Sequence, residues 1–329
     1  MQKRTVWSGI LFGLAVVWAQ PSRADTTIWV LMRDGAKHEG AVQMTAIKAT
    51  VDGKTRSFPL SSVLSVHLGD APSAFETAHI AAGIAAIQSP NRIAQDIAIE
   101  QLTDIGLPVL TPLLDILPDT NAHEPKPLYR LFERIVPGVA DTLDRSLDMI
   151  RLANGEILRG KLLPEMTLTL KASDGTETKI VPQSVRRIAV RRKEIKRNVT
   201  VHSLYHCIQI AWLDTGIALS SGSQVDSTAQ GFLRLAYKED GWTMNPDGLQ
   251  KPGPNYNTNL TGGFPFGALL VKTGVEGKTT IAGQKMTRSD LGYGRLYFTV
   301  NDNPHWQNNL GTYRLALKVT NAYDLGDAQ

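Results

Sequence analysis

Residues 30–42 read VLMRDGAKHEGAV, and residues 150–162 read IRLANGEILRGKL. In both stretches an alternating apolar run ends in a turn glycine, and a second glycine follows five residues later. An Asp-Gly or Asn-Gly pair between alternating runs is typical of a β-hairpin, because both central residues tolerate a positive φ. The two stretches therefore predict the same hairpin twice.

The repeat extends beyond this hairpin. A second turn follows in each copy, at Asp52-Gly53 and at Asp174-Gly175, and a proline then precedes a closing strand that contains valine. We interpret residues 25–70 and 147–192 as two copies of a small antiparallel β unit that resembles SH3-like or Sm-like barrels. A copy of about 45 residues is marginal for independent folding. We therefore expect the copies to pack together or on their neighbours, as a scaffold or spacer.

The segment between the copies, residues 71–146, changes its period. Apolar residues recur there at three- to five-residue steps, with breaks at 89–90, 106–108 and 118–119. This spacing predicts amphipathic helices, and the helix pairs resemble HEAT-type repeats. Two roles stay open: covering an apolar sheet face, or offering a groove to a protein partner.

A basic run, RRIAVRRKEIKR, occupies residues 186–197 with seven basic residues and one acidic residue. Such a run is a candidate site for an anionic ligand. Its start, however, falls in the last strand of the second β copy, so it also fits a charged strand edge that leads into a linker at 193–206.

The N-terminus has the three parts of a secretory signal: a basic head at Lys3 and Arg4, an apolar run from Val6 to Ala19, and small residues up to Ala24. An uncleaved membrane anchor is the alternative. Cleavage after residue 24 removes three basic and no acidic residues, so the formal net charge falls from +4 to +1. We therefore expect a periplasmic or extracellular protein with no stable membrane insertion after cleavage and no global charge that favours nucleic acid.

The cysteine count limits the cofactor classes. Cys207 is the sole cysteine, which excludes an internal disulfide framework, a multi-cysteine zinc module and a lipoprotein anchor near the leader. Motifs of serine hydrolases, phosphate-binding loops and zinc proteases are absent as well. We expect no enzyme activity.

From residue 207 onward, short alternating strands separated by Gly, Asn and Asp predict a β-sandwich over 207–322 with a short tail at 323–329. The predicted fold class is therefore mostly β with an α-helical insert: a C-terminal jelly-roll-like sandwich preceded by the two small β units. The loop NDNPHWQNN at 301–309 holds one carboxylate and five carboxamides. Such oxygen ligands suit a hard cation such as calcium, although Asn and Asp also cap polar turns.

Four motifs in order give this region a resemblance to a known family. They are Ala211-Trp212, Gly241-Trp242, the run Phe266–Gly274 (FGALLVKTG) and the loop at 301–313. In their order and spacing they resemble the PA-IL-like (LecA-type) galactophilic calcium lectins, over about residues 211–319. The resemblance implies a jelly-roll-like sandwich whose calcium ion bridges the protein and sugar hydroxyl groups.

Carried over by position, the resemblance implies two overlapping sets of site residues. The calcium ligands are the side chains of Asp302, Asn308 and Asn309, with a backbone carbonyl at Trp306 or His305 and another at or near Asn245. The sugar contacts are Asp302, Asn308, Tyr256, Asn257 and Trp306.

These features together predict a secreted or periplasmic carbohydrate-binding protein that uses Ca²⁺. Its partner is a carbohydrate, with galactose-containing glycans as the example that the resemblance suggests. A protein partner through the helical segment is a further expectation. The alternative is a non-catalytic envelope scaffold whose lectin-like domain no longer binds sugar.

Overall fold

The structure is a computed structural model of the 329-residue chain. It describes residues 26–69, 71–116, 127–135, 146–207, 211–235, 242–249, 263–302 and 309–326. Strands dominate these ranges, and the α-helices lie between residues 74 and 135. The predicted fold class, mostly β with a helical insert and a C-terminal sandwich, is confirmed. The predicted leader, residues 1–24, lies outside the described residues.

The N-terminal strands are β1 (Thr26–Met32), β2 (Lys37–Val42), β3 (Ala46–Val51), β4 (Lys54–Pro59), β5 (Val63–His67), β6 (Asp148–Leu152), β7 (Ile157–Leu162), β8 (Leu168–Lys171) and β9 (Glu177–Ile180). The helices are α1 (Ala74–Gln88), α2 (Arg92–Ile105), α3 (Leu110–Leu114) and α4 (Pro127–Ile135). The remaining strands are β10 (Val185–His202), β11 (Leu213–Leu235), β12 (Trp242–Met244), β13 (Leu269–Thr273), β14 (Thr280–Ile281), β15 (Lys285–Arg288), β16 (Gly294–Val300) and β17 (Asn309–Asp324).

The four predicted hairpin turns are confirmed. They join β1 to β2, β3 to β4, β6 to β7 and β8 to β9. The turn glycines have φ values between 72° and 89°: Gly35, Gly53, Gly155 and Gly175. In three of the turns the preceding Asp or Asn side chain accepts a hydrogen bond from the backbone N–H two residues on, at 2.9–3.0 Å, which fixes the turn locally.

The two β copies exchange strands. Strand β2 of the first copy pairs with β8 of the second, and β7 of the second pairs with β3 of the first. In the same way β1 pairs with β10, and β6 pairs with β5. Buried residues of both copies form one hydrophobic core. The copies are therefore two halves of one β domain, in agreement with the expectation that they pack together.

The repeated glycines Gly40 and Gly160 mark the places where the copies cross. A Cβ on Gly160 would collide with the carbonyl oxygen of Thr50, and a Cβ on Gly40 would lie 2.8 Å from that of Lys171. Both contacts are with a strand of the other copy, and both are shorter than real Cβ contacts. Glycine at these positions lets the two backbones approach.

Strand β10 is continuous for 18 residues and joins the two β regions. Its first part pairs with β1 and β5, and residues 191–202 pair with β17 of the C-terminal region. The prediction of a linker at 193–206 is therefore wrong up to residue 202. Arg186 and Arg187 of the basic run are buried, so the run is not a single surface patch for an anion.

The C-terminal region is a sandwich of two antiparallel sheets that share the long strand β11. One sheet contains β10, β17, β11, β15 and β12, and the other contains β11, β16, β13 and β14. A hydrophobic core lies between them. Strand β17 continues to Asp324, and Tyr323 and Leu325 are buried against Ala189. Residues 323–326 are thus part of the packed structure and not of the tail predicted at 323–329.

The helical segment is tied to the β domain at its start. Ser73 and Glu76 form a capping box for α1, with the Ser73 Oγ accepting from the Glu76 N–H at 3.1 Å. The Glu76 carboxylate also accepts two hydrogen bonds from the guanidinium of Arg186, at 2.5 and 2.7 Å. The predicted breaks at 89–90 and 106–108 are confirmed, and the break at 118–119 lies outside the described residues.

None of the described helices is by itself long and apolar enough to cross a bilayer. The pair Arg92–Ile105 and Leu107–Leu114, which is bent by 115° at its break, reaches that length and composition only when the two helices are taken together.

Helices α2 and α4 contact the sandwich through buried ion pairs. Asp104 on α2 lies 3.3 Å from the Arg295 guanidinium, and Arg134 on α4 lies 3.5 Å from the Asp214 carboxylate. Arg295 and Asp214 are themselves paired at 3.0 Å. Lys37 on β2 also lies 3.4 Å from the Asp104 carboxylate, so the β domain, the helices and the sandwich meet at one polar junction.

His67, at the end of β5, is buried beside this junction with 4% of its surface exposed. Burial holds its pKa well below the usual value, and the nearby charges of Arg187, Arg151, Arg295 and Arg186 lower it further. The imidazole is therefore neutral in the folded protein at a pH where it is protonated in the unfolded chain.

We predict that replacing Gly160 with alanine destabilises the β domain, because the added Cβ collides with the Thr50 carbonyl. The expected loss in free energy of unfolding is about 1–3 kcal/mol, measured by urea denaturation. Ser57→Ala, on the exposed face of β4, is the control and should change little. Equal stability of Gly160→Ala and the parent protein would contradict the close crossing.

We also predict a pH dependence that originates at His67. Above about pH 6.5, the pKa of histidine in the unfolded chain, His67 is neutral in both states and does not affect the free energy of unfolding. Below that pH the unfolded chain binds the proton first. The free energy of unfolding therefore declines as the pH falls, by up to about 1.4 kcal/mol per pH unit. Denaturation at several pH values should show this decline in the parent protein and a flatter profile in His67→Leu. His79→Leu, in an exposed position of α1, should keep the parent profile. An unchanged pH profile in His67→Leu would refute the assignment.

Candidate functional site

The candidate site begins where β16 ends, at Asn301 and Asp302. Both residues are buried, with 0% and 3% of their surfaces exposed. The Asn301 amide N–H donates to Ala268 O at 2.9 Å, and its carbonyl accepts from the Gly267 N–H at 2.8 Å. These bonds attach the strand end to the FGALLVKTG run.

The Asn301 side chain is fixed in orientation. Its Nδ2 donates to the carbonyls of Phe264 and Pro265, at 2.9 and 3.1 Å. Because both neighbours are acceptors, the nitrogen must occupy this position. The amide oxygen Oδ1 then lies on the other side, where it is buried with no hydrogen-bond partner among the described residues. A buried acceptor without a donor is costly and indicates a missing partner.

The loop after β12 is the second part of the site. The Asn245 carbonyl accepts hydrogen bonds from the Tyr313 hydroxyl at 2.7 Å and from the Gly248 N–H at 2.9 Å. Two donors already occupy this oxygen. Burial raises the pKa of Tyr313 well above its usual value, so the hydroxyl keeps its proton and remains a donor.

Further hydrogen bonds hold the same loop in place. The Asp247 carboxylate accepts from the backbone N–H and the side-chain amide of Gln284, at 2.8 and 2.5 Å. The Tyr313 hydroxyl also lies 2.9 Å from Gly267 O. The β12 loop, the FGALLVKTG run, the end of β16 and the start of β17 thus meet at one end of the sandwich.

Two of the predicted site residues can be placed with their side chains. Asp302 is buried at the strand end, and Asn245 is exposed in the loop after β12. Asn309 is the first residue of β17, but its side chain is outside the described part, as are four whole residues: Trp306, Asn308, Tyr256 and Asn257. Among the described residues, no three His, Cys, Asp or Glu side chains form a metal-binding group. The predicted calcium and sugar sets remain predictions.

Sequence reasoning did not single out Asn301 and Tyr313 as positioning residues. Both belong to the quoted segment at 301–313: Asn301 follows the end of β16, and Tyr313 lies within the first part of β17. Their roles depend on carbonyls of residues 245 and 264–267, which lie 36 or more residues away in the chain. Only the folded arrangement brings these groups together.

Known protein structures show a similarity to part of this chain. No protein-family model matches the sequence, and no curated protein matches it. A solved structure described as "EclA N-terminal domain; PllA-like lectin" is similar over 38% of this chain and 96% of that chain, with 19% identity and a TM-score of 0.28. The fold described above rests on the strand pairings and the core of this chain itself.

We predict that Tyr313→Phe loosens this end of the sandwich, because the Asn245 and Gly267 carbonyls lose a buried donor. The expected loss in free energy of unfolding is about 1–3 kcal/mol, with faster amide hydrogen exchange at Gly248 and Ala268. Tyr205→Phe, at a tyrosine with 53% of its surface exposed, is the matched control. Unchanged exchange in Tyr313→Phe would contradict this role.

Proposed function

We propose that this chain is a secreted or periplasmic carbohydrate-binding protein whose C-terminal sandwich binds a sugar with the help of a calcium ion. The observation that carries the proposal is the presence of oxygen ligands on two adjacent, buried residues at the end of β16. These ligands are the Asp302 carboxylate and the Asn301 Oδ1, which has no hydrogen-bond partner among the described residues. They lie at the start of the loop whose sequence resembles the calcium loop of the galactophilic lectins.

The donor set fits a hard cation. Calcium takes six to eight oxygen ligands from carboxylates, carboxamides, backbone carbonyls and water. Asp302, Asn308 and Asn309 would hold it through their side chains, and a carbonyl near Trp306 would join them. Since the Asn245 carbonyl already accepts from Tyr313 and Gly248, this oxygen is the weakest member of the predicted set. When bound, the cation offers coordination positions that sugar hydroxyls take from water.

The protein's own contribution is to keep the strand end rigid. Asn301 binds the backbone of residues 264–268, and Tyr313 binds the β12 loop. A preorganised set of oxygens loses little conformational freedom when ligand binds. Tyr256, Asn257 and Trp306 are the proposed sugar contacts beside the cation.

We predict that CaCl₂ raises the unfolding temperature of the chain that begins at residue 25, relative to the same protein in EGTA. A ligand at one hundred times its dissociation constant stabilises the folded state by about 2.7 kcal/mol. Asp302→Ala should abolish the calcium effect, and so should Asn308→Ala. Asp290→Asn, at an exposed carboxylate on the sandwich, should retain it.

Sugar binding is then measured on a glycan array with calcium and with EGTA. Binding that requires both calcium and Asp302 supports the proposal. A protein that shows neither calcium-dependent stabilisation nor glycan binding contradicts it and leaves the non-catalytic envelope scaffold as the better assignment.

A further inference from the structure

A cleft of about 360 Å³ lies at the junction of the β domain, the helices and the sandwich. None of its lining residues belongs to the predicted calcium or sugar set. Trp29 and Lys37 line it from the β domain, Glu100 and Asp104 from α2, and Tyr293 from the sandwich. Its volume falls within the range of about 300–1,000 Å³ that is typical of small-molecule sites.

Most of the charged groups that line the cleft are paired with other charged groups of the protein. Asp104 lies 3.4 Å from the Lys37 ammonium and 3.3 Å from the Arg295 guanidinium. Glu39, on the same wall, lies 3.9 Å from Arg191. Burial alone would raise the pKa of Asp104, but the charges of Arg295, Lys37 and Arg187 outweigh it and keep that pKa below the usual value. The cleft therefore has little unpaired charge with which to select an ionic ligand.

Among the described residues, Glu100 has no cation within ion-pair distance. Its Oε2 accepts a hydrogen bond from the Tyr297 hydroxyl at 2.7 Å. Burial raises its pKa, and the Tyr297 hydrogen bond partly opposes this. Glu100 is one helical turn before Asp104, so both carboxyl groups lie on the same face of α2. Together they offer hydrogen-bond acceptors to a ligand in the cleft.

Aromatic rings complete the cleft. Trp29 is half-buried and packs beside Tyr323 and Leu325. Tyr293 is 71% exposed in the loop before β16. An aromatic side chain that is this exposed contributes little to the core, and it is a ready surface for the apolar face of a ligand.

From this combination we propose that the cleft is a binding site for a small, neutral, polyhydroxylated ligand, namely a mono- or disaccharide. A purely apolar ligand would bury Glu39, Glu100 and Lys37 without replacing their water. An ionic ligand finds its counter-charges already paired within the protein. A saccharide supplies hydroxyl donors and acceptors for the carboxylates and the ammonium, and a C–H face for the tyrosine ring. This site does not depend on calcium and does not rest on the function proposed above.

The test is calorimetric titration of the chain that begins at residue 25, in EGTA, with maltose, cellobiose, lactose and N,N′-diacetylchitobiose. Inorganic phosphate and spermidine serve as the ionic probes. We expect at least one disaccharide to bind in EGTA, and we expect Tyr293→Ala to weaken that binding about tenfold. Glu100→Gln, which keeps the shape but removes the charge, should weaken it as well.

Matched variants separate this site from the calcium loop. Tyr205→Ala, also at an exposed tyrosine, and Asp302→Ala should both bind the disaccharide in EGTA as the parent protein does. Tyr293→Phe, which keeps the ring, should bind more tightly than Tyr293→Ala. Thermal denaturation of every variant checks that it is folded.

The possible outcomes are distinct. Sugar binding that vanishes in EGTA or in Asp302→Ala, and is indifferent to Tyr293→Ala, overturns the cleft site and leaves the calcium-dependent function in place. Binding of phosphate or spermidine without any disaccharide also overturns it. If no sugar binds with or without calcium, both proposals fail.

Discussion

Strand β10 carries two adjacent arginines through the interior of the protein, and the assembly of its parts depends on how these charges are satisfied. Consecutive strand residues point to opposite sides, so Arg186 and Arg187 serve different neighbours. Arg186 binds the Glu76 carboxylate of α1 and the Leu68 carbonyl, whereas Arg187 reaches the Leu325 carbonyl and Asp104 of α2. A buried guanidinium without such partners is strongly destabilising. The contacts from α1, α2 and the segment around Leu325 are therefore needed to stabilise β10 in the folded protein.

Much of the N-terminal architecture follows from local sequence, but the pairing of strands between the two β copies does not. The Asp-Gly and Asn-Gly turns specify four hairpins because their geometry is set within a few residues. The same pattern says nothing about which copy supplies the neighbouring strand. Gly40 and Gly160 were visible as a repeat, yet their purpose becomes clear only when the carbonyl of the other copy lies against them. The basic run at 186–197 was open to two interpretations, an anion site or a strand edge that leads into a linker. No local sequence pattern distinguishes a strand that continues from one sheet into another.

The two proposed sites differ in how far the sequence can reveal them. The loop around Asp302 is contiguous and rich in oxygen ligands, so its chemistry can be inferred from composition and from its resemblance to a lectin family. The hydrogen bonds with which Asn301 and Tyr313 hold this end of the sandwich could not be inferred in the same way, because their acceptor carbonyls are distant in the chain. The junction cleft has no sequence signature at all. Trp29, Glu100 and Tyr293 are each separated by about 70 residues or more and meet only because three regions pack together.

The exchange of strands between the two β copies also constrains the order in which the chain can be built. Ala41 on β2 pairs with Lys171 on β8, 130 residues later, and the helical segment is made in between. As the chain is synthesised from its N-terminus, the strand edges of the first copy lack their pairing partners until the second copy has been made. Such edges are prone to pair with other chains, and pairings this distant in sequence form slowly. During biosynthesis, intramolecular completion of the sheet therefore competes with strand pairing between different chains.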